Sequence, residues 1–283
     1  MSNSIRSLLA RKPALIMGIL NATPDSFSDG GQYHTLESAL HHAKSMIDAG
    51  ADIIDVGGES TRPGADAVGL QEELDRVIPI IERLSHEFDV PVSIDTYKPQ
   101  VMRDAVLAGA QLINDVNGLR SPGAVQVVAD SGVPVCIMHM QGGPKEMQHE
   151  PNYQDVVEEV IQFFNTQISE CKSAGICKAD ILIDPGIGFG KTLQHNLQLL
   201  KHIPRLTKET ECKVLIGVSR KSLIDMQLGR PVEERLPASL GLGVQSVLNG
   251  AKILRVHDVR ATRDAIRMVE AVQNVEPEKN NFK

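Results

Sequence analysis

Short apolar segments recur along this chain, and nearly every one runs into residues that can do chemistry. The first closes on Asn21, the second on Asp55, and Gly57-Gly58-Glu59-Ser60-Thr61-Arg62-Pro63-Gly64 follows the second. The third ends in Asp95-Thr96 and the fourth in Asn114-Asp115. Met138-His139-Met140, Asp184-Pro185-Gly186, Ser219-Arg220-Lys221-Ser222 and Arg255-Val256-His257 complete the series. A single polar residue at such a point is an ordinary cap or loop starter. Carboxylates and amides gathered at one apolar rim are another matter, because each is costly there unless a donor or acceptor matches it.

The residue types sort into groups. Asp95, Asn114 and Asp184 offer carboxylates and an amide, which suit a flat heterocycle carrying an amino group and ring N–H donors. Lys221 adds a donor for a ring carbonyl or ring nitrogen. Thr61, Arg62, Arg255 and His257 are cations and hydroxyls, suited to a phosphate or diphosphate, with arginine giving a forked contact. Asn21 and Asp29 offer hard oxygens of the kind Mg²⁺ takes, usually with substrate phosphates completing the shell.

The elements that must position these groups alternate along the chain. Strand candidates are Ala14–Asn21, Asp52–Gly57, Val90–Asp95, Leu112–Val116, Pro134–Met140, Ile181–Asp184, Lys213–Val218 and Lys252–His257. Helical patterns lie between them at Leu36–Ala49, Leu70–Phe88, Pro99–Ala108, Ala124–Ser131, Tyr153–Ser173, Asn196–Thr207, Ala238–Leu248 and Thr262–Val272. In Tyr153–Ser173, Val156, Val157, Val160, Ile161, Phe164, Ile168 and Cys171 fall on one helical face. The strands are rich in Val and Ile without clean alternation, as strands covered on both faces are, so the sheet is expected to be parallel. Gly50, Gly109, Gly132, Gly175 and Gly250 each sit between a helix and a strand, where a helix ends well. Eight such units in order predict an α/β fold of one domain, a (β/α)₈ TIM barrel, whose functional groups gather at the C-terminal strand ends. A doubly wound open sheet is the runner-up, but it needs a glycine-rich turn where this chain has Asn21-Ala22-Thr23-Pro24.

Composition fits that reading. The 283 residues are 42% hydrophobic, and a single barrel of roughly 250 residues is ordinary. No apolar run reaches the roughly 18 residues of a membrane-spanning helix. Residues 1–13 hold only Leu8-Leu9-Ala10 as an apolar run, too short for a secretory segment, so a cytoplasmic protein is expected. Cys136, Cys171, Cys177 and Cys212 show no zinc-type spacing and read as buried free thiols. A net charge of −7 and an aromatic content of 3% without Trp argue against a nucleic-acid surface. Gly190-Lys191-Thr192 looks like the end of a P-loop, but the opening glycine would fall at position 185, which is Pro185. The glycines from 186 to 190 read instead as a loop that passes close to a bound ring. His139 reads as a polar core residue, with a place in the site wall as the alternative; His195 reads as a surface residue.

Taken together, the motifs resemble the dihydropteroate synthases, a family of pterin-binding enzymes. The similarity runs from about Ala14 to Val272 and is carried by Gly18–Gly31, Gly57–Gly64, Ser93–Thr96, Ile113–Val116, Met138-His139, Asp184–Lys191, Ser219–Ser222 and Arg255–Asp258. Ala22 and Tyr97 depart from it, standing where many relatives have valine and a small residue. The resemblance implies that (7,8-dihydropterin-6-yl)methyl diphosphate and 4-aminobenzoate condense to 7,8-dihydropteroate and diphosphate, a step in folate biosynthesis. It implies a pterin held by Asp95, Asn114, Asp184 and Lys221 and lined by Met138 and Phe189. It assigns the diphosphate to Thr61, Arg62, Arg255 and His257, Mg²⁺ to Asn21 with help from Asp29, and the aminobenzoate to Phe27, Pro63, Lys221 and Ser222. Catalytic roles then fall to Asp95, Asp29 and Lys221, with Asp95 stabilising a cationic methylene. Segments 22–34 and 58–68 would close over the diphosphate and exclude water. The implied domain spans 14–273, with 1–13 an extension and 274–283 a frayed tail; the implied assembly is a homodimer through late helices. The alternatives are a methyltetrahydrofolate-dependent methyltransferase of the same barrel type and a pterin-binding relative without turnover. Arg62, Arg255 and His257 speak against the first, since it needs no anion site.

Overall fold

A computed structural model of the chain describes residues 4–22, 32–60, 67–142 and 151–276, with the backbone alone for 32–35. Eight parallel strands close into a barrel in sequence order: β1 (Leu15–Asn21), β2 (Ile53–Gly57), β3 (Val92–Asp95), β4 (Leu112–Asp115), β5 (Val135–Met138), β6 (Ile181–Asp184), β7 (Lys213–Ile216) and β8 (Ile253–Val256). β8 pairs with β1, Leu15 opposite Ile253 and Gly18 opposite Val256, so there is no open edge and the doubly wound alternative falls away. The helices around it are α1 (Ile5–Arg11), α2 (Gln32–Asp48), α3 (Leu70–Glu87), α4 (Pro99–Leu107), α5 (Ala124–Ser131), α6 (Val156–Ser173), α7 (Leu193–Lys201), α8 (Ile203–Thr210), α9 (Ser222–Leu228), α10 (Leu236–Leu248) and α11 (Val259–Gln273).

Every strand but β3 has two apolar faces, for different reasons. Ile16, Ile54, Ile94, Ile113, Ile137, Ile183, Ile216 and Leu254 join the outer core beneath the helices. Leu15, Met17, Ile53, Leu112, Cys136, Leu182, Leu215 and Ile253 form a separate cluster. These residues alternate with the first set along the strands, so they face the barrel interior. The two sets together erase the alternation from the sequence while keeping it in the structure. The five glycines expected at helix ends all take positive φ, as the left-handed residue after a helix requires.

Five local readings change. The N-terminal extension is part of the barrel: Ile5, Leu8 and Leu9 of α1 are buried in the inner cluster and close its floor. Ser4 caps that helix by accepting from the Ser7 amide at 3.3 Å. The single helix expected over 196–207 is two, α7 and α8, the second opening with Pro204 in its first turn, where the missing N–H costs nothing. The seven-residue α9 was not foreseen, and Cys177 is exposed while the other three thiols are buried. Segment 22–34 is shorter as a connection than expected, because α2 starts at Gln32.

Candidate functional site

One step along the inward face from the apolar cluster, the barrel turns polar. Asp55 follows Ile53 on β2, Asp95 follows Ser93 on β3, Asn114 follows Leu112 on β4, Asp184 follows Leu182 on β6 and Arg255 follows Ile253 on β8. Cross-strand register sets Asn21, Gly57, Asp95 and Asn114 side by side as successive partners, and Met138 beside Asp184. All of these strand ends point to the same mouth of the barrel.

The centre of the mouth is a charge network. Arg255 Nε donates to Asp55 Oδ2 and its Nη2 to Asp95 Oδ2, both at 2.6 Å, while the Asn114 side-chain amide donates to the same Asp55 oxygen at 3.2 Å. Burial works against the Arg255 charge, but Asp55 and Asp95 outweigh it and hold the guanidinium firmly protonated. Burial dominates at Asp95 and pushes its carboxyl well above the usual range, although Arg255 pulls the other way. Asp184 is likewise raised by burial, with Lys221 and the Gly186 amide opposing; that amide donates to Asp184 Oδ1 at 2.7 Å. Among the described residues, buried Asp95 Oδ1 and Asp55 Oδ1 have no hydrogen-bond partner. Polar atoms left so in an apolar barrel mark a place built for a donor from outside.

Lys221 comes from the loop after β7. Its ammonium donates to the Ile187 carbonyl and lies 4.4 Å from the centre of the Phe189 ring. Burial lowers its pKa to about 8, with Asp184 supporting the charge. Phe189 in turn packs with Tyr97 on Val116, Met138 and Met140, an apolar wall beside the carboxylates. At the rim, His257 is exposed and its Nδ1 lies 3.1 Å from Ser219 Oγ. Ser222 is exposed as the first residue of α9. A forked pair from Arg220 to Asp258, at 2.8 and 2.6 Å, ties the loop bearing Lys221 to the loop bearing His257. Arg220 holds that position at φ 56.

The structure therefore brings together Asn21, Asp95, Asn114, Met138, Asp184, Phe189, Lys221, Ser222, Arg255 and His257. Phe27, Asp29, Thr61, Arg62 and Pro63 lie outside the described residues, as does the greater part of the segments expected to close. One expectation needs correcting. The rim does not divide into an acidic group and a cationic group, because Arg255 is bonded into the acidic one. Asp55 was passed over as a site residue although its charge is as central as that of Asp95; the signal was its place two residues after Ile53, the parity Asp95 has with Ser93. His139 and Lys191 were also undervalued. His139 is buried among Tyr153, Phe163 and Phe164, with Lys191 Nζ 3.1 Å from its Nδ1. His195 is no free surface residue: it completes the capping box of α7 with Thr192 and meets the Tyr153 ring edge-on.

The model of the pterin binding enzyme family matches residues 17–257, from the second inward residue of β1 to the rim histidine. The chain belongs to this family. It is 50% identical over 264 residues to the dihydropteroate synthase of Escherichia coli strain K12, covering 93% of each chain, and 48% identical to that of Haemophilus influenzae, covering 92% and 94%. Among solved structures, it superposes on dihydropteroate synthase of Xanthomonas albilineans with 4-aminobenzoic acid at a TM-score of 0.88, with 51% identity and 93% and 94% coverage. A second Xanthomonas albilineans structure, in complex with 7,8-dihydropteroate, gives 0.84 at 48% identity, covering 93% and 95%. The Yersinia pestis enzyme in a sulfonamide drug complex gives 0.88 at 50% identity, covering 94% and 96%. The relatives are dihydropteroate synthases, transferases built on this closed eight-stranded barrel.

Proposed function

We propose that this chain joins the methylene of (7,8-dihydropterin-6-yl)methyl diphosphate to the amine of 4-aminobenzoate, giving 7,8-dihydropteroate and diphosphate in folate biosynthesis. One observation carries the reading: a buried carboxylate with an oxygen unpaired among the described residues, Asp95, is braced by a fully charged guanidinium, Arg255, in the same barrel mouth. Ring donors suit the first and a departing polyanion suits the second.

Asp95, Asp184 and the Asn114 carbonyl accept from the ring's amino and N–H groups. One Asn114 amide N–H is committed to Asp55, which fixes the side chain with its oxygen free to accept from a ligand. Lys221 donates to the ring, and Met138 and Phe189 cover its faces. The methylene–oxygen bond breaks with its electron pair leaving on the diphosphate. Arg255 has five N–H donors and spends only part of them on Asp55 and Asp95, so the rest can receive the anion. His257 and, from outside the described residues, Thr61 and Arg62 complete that anion site. The cationic methylene is held beside the Asp95 carboxylate, the neutral amine forms the new bond to carbon, and its proton is then lost. Ser222 and Lys221 border the aminobenzoate, a role the family resemblance extends to Phe27 and Pro63, which lie outside the described residues. No side chain needs to become covalently attached.

Among the described residues no group of three His, Cys, Asp or Glu side chains could hold a metal ion. The described donor is Asn21 at the end of β1, whose hard amide oxygen fits Mg²⁺ held chiefly by substrate phosphates, and the family resemblance adds Asp29 from outside the described residues. When bound, the ion would neutralise charge on the leaving diphosphate. A two-substrate assay tests the reading: purified protein should yield dihydropteroate and diphosphate together, EDTA should abolish the rate and Mg²⁺ restore it. Methyl transfer from a methylated pterin, or tight pterin binding with no product, would replace it with one of the alternatives.

The chain is further assigned to the cytoplasm, on its four unpaired cysteines, and to a homodimer through late helices, where Leu228, Leu248, Met268 and Val272 are exposed. Among the described residues no helix is long and apolar enough to cross a membrane. Sedimentation at monomer mass would remove the dimer.

A further inference from the structure

The loop from Asp184 to Thr192 makes three contacts with the site: the Gly186 amide on Asp184, the Ile187 carbonyl on Lys221, and the Phe189 ring on the apolar wall and under Lys221. What fixes this loop is a buried cation. Lys191 is 3% exposed, and its ammonium reaches three acceptors: the Phe189 carbonyl at 2.9 Å, His139 Nδ1 at 3.1 Å and the His139 carbonyl at 3.2 Å. An ammonium has three N–H donors and no acceptor, so this set is complete. The bonds draw the loop onto the end of β5. The approach is close enough that a Cβ on Gly186, at φ 68, would sit 1.9 Å from the same His139 carbonyl. On the far side, Tyr153 OH donates to the Gly190 carbonyl at 2.9 Å, and Asn196 Oδ1 accepts from the Gly188 amide at 2.7 Å.

We propose that Lys191 is a positioning residue for the pterin: its ammonium, clamped by His139 and the Phe189 carbonyl, sets the loop that orients Asp184, Lys221 and Phe189. The proposal rests on the pterin reading of the site and adds a residue that never touches the ring. It also explains the Gly190-Lys191-Thr192 signature without a nucleotide. While Lys191 is charged its ammonium only donates, so in the clamp His139 Nδ1 is the acceptor and the neutral ring carries its proton on Nε2. Burial and the neighbouring cations, Lys191 and then Arg120, hold the imidazole neutral. Around Lys191 itself burial lowers the pKa to about 7, Asp184 opposes that fall and Lys221 adds to it, while His195 lies further out within reach of the same charge.

The test compares Lys191→Met with the unaltered enzyme, measuring Kd for 6-hydroxymethylpterin and steady-state constants for both substrates. The expected result is a tenfold or greater loss of pterin affinity and a matching rise in KM for the pterin diphosphate, with kcat changed less than threefold. An unchanged Kd in a folded variant overturns the proposal. Should the variant not fold, ¹⁵N spectra of histidine-labelled unaltered protein, assigned with His139→Gln, decide: a neutral ring protonated on Nε2 supports the clamp, and an Nδ1–H tautomer or an imidazolium overturns it. If the unaltered enzyme neither binds the pterin nor forms dihydropteroate, the underlying function has failed instead, and the two failures are told apart by that control.

Discussion

The floor and the mouth of this barrel are built from the same inward-facing positions of the same strands, one step apart. On the floor, Leu15, Ile53, Leu112, Leu182, Leu215 and Ile253 pack around Ile5, Leu8 and Leu9 of α1 as an apolar cluster. At the mouth, the next inward residues are Asp55, Asn114, Asp184 and Arg255. Burial stabilises the floor and works against every charge at the mouth. The mouth stays charged because its groups answer one another, and even then buried oxygens of Asp55 and Asp95 are left over. A single two-residue step along a strand thus separates cohesion from chemistry. The floor gains by being dry, and the mouth holds charges that would be cheaper in water and are useful only when a ligand completes them.

The largest break in this arrangement should come from Arg255→Met. It leaves Asp55 and Asp95 buried without their cation, which costs about 3–5 kcal/mol of stability. Loss of a charge partner to the leaving group should also cut turnover on the order of 1,000-fold. Denaturant melts and steady-state rates measure both, and affinity should fall further for the pterin diphosphate than for the free pterin. Equal losses would confine Arg255 to bracing the ring pocket. Asp95→Asn should be milder on the fold, since Asp55 still holds Arg255, yet lower kcat by about 100-fold. A near-normal kcat would remove Asp95 from the chemistry and leave it as a scaffold for the guanidinium.

Much of this contrast can be read without coordinates, for physical reasons that also explain what cannot. A β-segment rich in Ile and Val that stops on Asp or Asn announces a buried strand with a costly end, which is why Asn21, Asp95, Asn114, Asp184 and Arg255 stand out. Asp55 stands at such an end too, but its bond to Arg255 spans 200 residues of sequence, so its part in the network is hidden. The floor plug is hidden too, because α1 contributes only three apolar side chains and their partners are far away in sequence. Charge type gives the sign of a partner and not its address: Arg255 has the chemistry of an anion receptor and spends two of its donors on carboxylates. Lys191 is harder still, since a lysine among glycines suggests phosphate, and only the closed barrel brings the end of β5 under it.

Acidity sharpens the comparison, because at the mouth stability and function should respond to pH in opposite directions. Lys221 is depressed to about 8 in the fold against roughly 10.4 unfolded. Between those values the unfolded chain binds the extra proton, so Lys221's contribution to stability rises with pH there. Over the same range the ammonium that meets the ring is lost, and kcat/KM for the pterin substrate should fall by up to about tenfold per pH unit. On the acid side, protonating the raised Asp95 carboxyl relieves its burial and removes the ring acceptor. Lys221→Arg should extend the basic limb of the profile, since a guanidinium does not titrate there; an unchanged basic limb would assign it to another group.

The finest test sets neighbours on one strand against each other. Leu182 and Asp184 both face the barrel interior on β6, two residues apart, the first in the apolar floor and the second in the charged mouth. Leu182→Ala deletes a fully buried side chain and should lower unfolding free energy by about 2–5 kcal/mol, read from denaturant titration. Because the floor residues lie below the polar layer and Asp184 is held from above by the Gly186 amide, kcat and both KM values should stay within about twofold while the protein is folded. A loss of pterin affinity comparable to that of Asp95→Asn would mean that the floor sets the height of the carboxylates, and that the two layers are one mechanical unit and not two materials joined along a strand.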